Sequence, residues 1–149
     1  MVHRQGPASG IEVLLVHPGG PFWSRKDDGA WFIPKGEINA NEEPLAAAYR
    51  EFAEELGFAA PLGEPLELGT VKNKGGKLIY AWALPGDLEL TAFRSNTFSM
   101  EWPPRSGQKR EFPEVDRAQY FSVEQARLKM HPAELPLVER LLELLGERR

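Results

Sequence analysis

Residues 36–58, GEINANEEPLAAAYREFAEELGF, decide how this chain is read. Asn41 has the side chain of a helix N-cap, and Glu42 and Glu43 behind it would put negative charge in a first turn, where the helix dipole favours it. Pro44 is tolerated there because a first-turn N–H has no intrahelical partner. Leu45, Ala48, Tyr49, Phe52 and Leu56 recur at three- and four-residue spacing and make one apolar face. Gly57 stands where a helix commonly ends in a left-handed turn, with Phe58 placed to fold back as an apolar contact. The pattern predicts a helix over 43–56.

On that helix Glu51, Glu54 and Glu55 stand at i, i+3 and i+4 and share one stripe beside the buried face. Carboxylates so close are expected to raise one another's pKa, and a divalent cation would relieve the repulsion. Oxygen donors with no Cys or His beside them favour a hard ion, magnesium rather than zinc. A bare acidic stripe also reads as a solvated helix face. What separates this one is its spacing to Gly36, Glu42 and Arg50: G-x5-E-x7-R-E-U-x-E-E-x-G-U, with Phe52 and Phe58 at the two bulky apolar positions U.

That pattern resembles the Nudix box, the signature of hydrolases that cut nucleoside diphosphates linked to another group. The resemblance implies an α/β fold (α+β), an α/β/α sandwich with a mixed central sheet beside the box's loop-helix-loop, as one domain over residues 1–149. It implies that Glu51, Glu54 and Glu55 supply metal ligands and, with Arg50 orienting the cluster through Glu42, the catalytic set. Gly36 would mark a loop contributing a main-chain carbonyl to the metal. The cofactor implied is Mg2+ or Mn2+, in the hydrolysis of a phosphoanhydride. Family members often carry a further catalytic or metal-binding glutamate just before a late strand. Here the expected loop is 107–117, before a strand at 118–121 and a helix from Val123, which makes Glu111 a metal candidate and Glu114 a catalytic one.

The substrate is less sharply marked. Trp31-x-x-Pro34-Lys35-Gly36 is similar to the same stretch of diadenosine and diphosphoinositol polyphosphate hydrolases. The runs at 16–23 and 95–104 resemble a bacterial Nudix subgroup of predicted NTP pyrophosphohydrolases. The tyrosine that marks some dinucleoside polyphosphate hydrolases is not cleanly met, since Tyr80 falls a few residues late. Lys72, Lys74 and Lys77 sit between two strand-like runs, and Arg94, Arg105, Lys109 and Arg110 cluster later, so local positive loops could steer a polyphosphate. Lys35, Lys77 and Tyr80 are the substrate-binding candidates; Trp23, Trp82 and Trp102 are candidates for stacking on a base. The expected substrates are nucleoside triphosphates or dinucleoside polyphosphates. Diphosphoinositol polyphosphates, RNA 5′ ends, or a non-catalytic nucleotide-binding module are the alternatives.

Composition excludes several other classes. The chain has no cysteine, so disulfides, zinc–thiolate sites and thiol catalysis are ruled out. A net charge of −4 argues against general nucleic-acid binding, so no stable nucleic-acid partner is expected. No apolar run is long enough for a membrane span and no signal peptide opens the chain, so the cytoplasm is the expected location. A monomer or homodimer is expected.

Around the box, residues 11–17 read as a strand, 31–33 as a short strand running into the Pro-Lys-Gly turn, and 64–71 with 78–84 as a hairpin around the lysine loop. The turn at 18–21, Pro-Gly-Gly-Pro, reads as a mobile tip and the proline- and arginine-bearing stretch 101–113 as a long loop. Leu135, Val138, Leu141, Leu142 and Leu145 predict a C-terminal amphipathic helix. His17 and His131 read as structural. Residues 1–4 match only the end of the family's first strand, which implies a short strand or a late start.

Overall fold

The computed structural model describes residues 1–7, 10–35 and 38–146. Seven strands and three helices follow one another: β1 (Val2–Gln5), β2 (Ile11–Pro18), α1 (Pro44–Leu56), β3 (Leu66–Lys72), β4 (Leu78–Pro85), β5 (Thr97–Glu101), β6 (Lys109–Pro113), β7 (Val115–Ser122), α2 (Val123–Lys129) and α3 (Leu135–Leu144). Five strands form a sheet in the order β3-β4-β1-β2-β7, and β5 pairs with β6 in a separate hairpin. The pair β1–β4 is parallel and the others in the sheet are antiparallel, so the sheet is mixed as expected.

The strand period of two sorts the core into two layers. On β2, Leu14 and Val16 face α1, where they meet Phe52, Leu56, Val115 and Tyr120. Val13 and Leu15 face the other way, toward Phe121, Ala126, Leu137, Val138 and Leu141 of β7, α2 and α3. Both faces of the sheet are therefore covered by helices, which is the α/β/α sandwich. Strand β1 spans only four residues, yet it lies between β2 and β4.

Several local expectations are corrected. Asn41 does not cap α1: its φ is 63°, the cap position is Glu43 in extended conformation, and no side chain accepts there. Pro44 is the cause, since a residue before proline is driven out of the helical region, so the helix cannot begin earlier. Consequently no acid occupies the first turn. The buried residues of α1 are Ala47, Phe52, Glu55 and Leu56, rather than a face running through Tyr49, which is 37% exposed. Gly57 does close the helix at φ 83°, and the Phe58 ring meets Phe52 edge-on at 6.3 Å.

Trp31 and Phe32 form two isolated bridges, to Met130 and Val16, instead of a strand. The stretches expected as loops, 101–113 and 107–117, fold as the β5–β6 hairpin and the start of β7, with Phe98 opposite Phe112 and Met100 opposite Arg110. At the Pro-Gly-Gly-Pro turn Gly19 is buried, and a Cβ there would stand 2.0 Å from the Pro113 carbonyl oxygen. That glycine serves close backbone approach rather than a loose tip.

Candidate active site

The last two turns of α1 carry the carboxylates, and Arg50 organises them. Its guanidinium holds Glu42 through two bonds, Nε to Oε2 at 2.8 Å and Nη2 to Oε1 at 3.0 Å. Nη1 reaches Glu51 Oε1 at 2.6 Å and Glu54 Oε1 at 3.0 Å. The planar fork of arginine suits such a shared contact, where a lysine would offer one point charge. The hydrogen bonds from Arg50, with one from the Asn39 N–H, hold the Glu42 carboxyl down to about 2. Glu42 in turn pins the loop ahead of the helix to the helix's second turn.

Glu55 is different. It is 8% exposed, and burial pushes its carboxyl up to about 8. Lys35 opposes the rise, while the negative charges of Glu51 and Glu114 add to it. The expected mutual repulsion is thus present but secondary to desolvation. The Lys35 N–H points toward Glu55 Oε1 at 3.4 Å, which joins the helix to the segment entering the box.

Glu114 reaches this cluster from 60 residues away. The carrier is segment 94–96, marked in the sequence by a cationic residue and a family-like run but not as a bridge to the box. Arg94 N–H donates to the Leu56 carbonyl at 2.9 Å and Asn96 N–H to the Glu54 carbonyl at 2.9 Å. Glu114 N–H then donates to the Asn96 carbonyl at 2.8 Å, and Gly19 N–H to the Glu114 carbonyl at 3.0 Å. Burial raises the Glu114 carboxyl, and the charges of Glu51 and Glu54 raise it further, a sign of how near the three lie. Glu111 is not brought in: it is exposed on β6 and accepts a hydrogen bond from Thr97 Oγ1 at 2.8 Å across the hairpin. Gly36 lies outside the described residues.

The three substrate candidates meet in one cleft. Lys35, Lys77 and Tyr80 line a cavity of about 710 Å³ with Pro34, Ala47 and Asn73. A second cleft of about 780 Å³, lined by Trp23, Phe32, Lys74, His131 and Glu134, shares Lys35 and Asn73 with the first. Trp102 instead packs edge-on against Phe22 at 5.6 Å. His17 is fully buried with both ring nitrogens engaged, by Asp116 at 2.8 Å and the Lys26 carbonyl at 2.7 Å, and His131 stacks on Phe32 at 5.1 Å.

The NUDIX domain family model matches residues 4–141, nearly the whole chain. The chain belongs to the Nudix family. An RNA pyrophosphohydrolase from Cellvibrio japonicus is 40% identical over 61 residues, 39% of this chain and 36% of the relative. The chain thus aligns with little more than a third of the length of that curated relative. Among solved structures, the Ap4A hydrolase of C. elegans in a binary complex superposes with a TM-score of 0.68 at 20% identity, covering 97% of this chain and 94% of the other. The NUDIX domain of Shewanella oneidensis NrtR, complexed with ADP ribose, gives a TM-score of 0.63 at 16% identity over 97% of this chain and 83% of that one. At such identities these structures speak for the Nudix fold alone.

As they stand, no three acidic or histidine side chains among the described residues form a ready-made metal cage. Arg50 occupies Glu51 and Glu54, so holding an ion would require those two carboxylates to turn from it. The chemistry of the donor set nevertheless suits a hard divalent cation. It offers oxygen ligands only, with Glu55 buried and crowded by the charges of Glu51 and Glu114. Among the described residues no helix is long and apolar enough to cross a membrane.

Proposed function

We propose that this Nudix protein hydrolyses a phosphoanhydride bond in a nucleoside diphosphate linked to another group, with nucleoside triphosphates or dinucleoside polyphosphates as the substrate class. The observation that carries this reading is the meeting, across Lys35, of the Arg50–Glu51–Glu54–Glu55–Glu114 cluster with the lysine-lined cleft. A cluster of acids alone would repel a polyphosphate; the lysines beside it supply attraction.

In this reading Glu51, Glu54 and Glu55 hold Mg2+, or Mn2+ in its place, and Glu114 stands beside them. The ion when bound neutralises charge on the phosphates and lowers the pKa of a water. Glu54 or Glu114 takes the proton from the attacking water, and the raised carboxyl of Glu114 suits such a base. Arg50 keeps Glu51 and Glu54 oriented between turnovers. Lys35 and Lys77 receive the phosphates, and Tyr80, 40% exposed on the cleft wall, offers its ring to the nucleoside.

A second reading, removal of pyrophosphate from RNA 5′ ends, is favoured by the RNA pyrophosphohydrolase relative. The test is a panel of ATP, dGTP, diadenosine tetraphosphate and a 5′-triphosphorylated RNA oligonucleotide, each with magnesium and with a chelator. Magnesium-dependent cleavage of a mononucleotide or dinucleotide supports the first reading, and cleavage of the oligonucleotide alone supports the second. No cleavage of any of the four would overturn both.

A further inference from the structure

Glu134 is fully buried, and a carboxylate taken out of water is costly unless something compensates it. Its Oε1 accepts a hydrogen bond from the Ile33 N–H at 2.9 Å. Its Oε2 lies 3.2 Å from Lys35 Nζ, close enough for an ion pair but off the line of a hydrogen bond, so that oxygen has no hydrogen-bond partner among the described residues. Lys35 Nζ also sits 4.1 Å from the centre of the Phe32 ring, which stacks on His131. His131 N–H donates to the Trp31 carbonyl at 2.9 Å. Residues 31, 33 and 35 are thus fastened in succession to the turn 131–134, every second residue along an extended stretch.

This fastening ends at the lysine that lines both clefts, the one of about 710 Å³ and the one of about 780 Å³. A lysine side chain free in solvent carries rotamer entropy that a ligand must remove on binding. Here the ammonium is already held, yet its protons are not committed to Glu134 by a hydrogen bond. They stay available to a phosphate.

We propose that Glu134 is a positioning residue: its buried carboxylate holds the Lys35 ammonium at the wall shared by the two clefts, ready for substrate phosphate. The inference rests on the phosphate-binding role given to Lys35 above. It predicts that Glu134 acts on substrate binding through Lys35, and only through Lys35.

Glu134→Gln keeps the shape and an acceptor for Ile33 while removing the charge. Its melting temperature should stay within about 3 °C of the native protein. KM should rise about 10-fold with kcat changed less than about 3-fold. Lys35→Met should do the same, and the double variant should be no worse than either, because the two act as a unit. A KM within about 2-fold of native, or effects of the two substitutions that multiply, would overturn the proposal.

Calorimetric binding of inorganic tripolyphosphate in magnesium buffer separates this from the hydrolase reading, since it needs no turnover. Equal weakening in both single variants supports the proposal even if no nucleotide is cleaved. Normal turnover with unchanged tripolyphosphate affinity in Glu134→Gln, or no tripolyphosphate binding by the native protein, counts against it. Should Glu134→Gln unfold, side-chain relaxation of Lys35 in the native protein decides. An ammonium arm as rigid as the backbone is expected, and one as mobile as Lys74 would contradict the proposal.

Discussion

Glu55 is the residue whose position in the fold changes its chemistry most. On the sequence it is one of three similar acids; in the structure it is buried and its carboxyl is pushed up to about 8 from an ordinary 4.5. Folding therefore takes up a proton between those two values. The stability this gives is fully present below about 4.5 and is lost as pH rises through about 8. In metal-free buffer Glu55→Gln should be more stable than the native protein at pH 8, by about 3 kcal/mol, with the gap closing as pH falls toward 5. Denaturant titrations at the two pH values check this, and a gap independent of pH would contradict it. The two late glutamates give a second contrast at this scale. Glu114→Gln should lower kcat by at least about 100-fold, whereas Glu111→Gln should leave it within about 2-fold, because the Glu114 carboxyl feels the charges of Glu51 and Glu54 while Glu111 is exposed and bonded to Thr97.

At the scale of the element, the helix α1 and the segment that caps it work together. Gly57 adopts φ 83°, and a Cβ there would stand 2.4 Å from the Arg94 carbonyl oxygen. Gly57→Ala therefore meets both backbone strain and a clash with the segment that carries Glu114. We expect it to cost about 2 kcal/mol or more of stability. Turnover should fall further than the folded fraction explains, as measured by activity per folded molecule. The helix itself was legible in the sequence because apolar spacing and Gly57 both mark it. Its start was read to within one residue but its cap was misjudged at Asn41, because proline's effect on the preceding residue places the cap at Glu43. The β5–β6 hairpin was missed for a related reason: its prolines, arginines and glycines signal a loop, while its pairing depends on partners 8 to 16 residues away. The route by which Glu114 reaches Glu54 runs mainly through backbone hydrogen bonds of Asn96, which leave no trace in side-chain identity, with the Ser95 hydroxyl accepting from the Val115 N–H at 3.2 Å beside them.

Across the whole molecule, the sheet separates a working layer from a supporting one. Leu14 and Val16 back the helix that bears the acids, and Val13 and Leu15 back α2 and α3. Residues 11–17 read in the sequence as one apolar run, so the sandwich could be anticipated only through what the Nudix resemblance implies, and the clefts could not be anticipated at all. A cleft needs the distance between Lys35, Lys77 and Tyr80, and only the folded chain supplies it. Leu141, fully buried on the inner face of α3, tests the separation. Leu141→Ala should cost about 3 kcal/mol, within the range for buried leucines, yet leave KM of the folded protein within about 2-fold of native. Thermal melts and initial rates at low temperature measure the two effects separately.

The most direct test is product release from diadenosine tetraphosphate and ATP, with and without magnesium, by the native chain and by Glu54→Gln. Magnesium-dependent turnover by the native protein is expected, with a loss of at least about 100-fold in a variant that still folds. Equal turnover by the two proteins would contradict it, because the box carboxylates would then be bystanders to the chemistry.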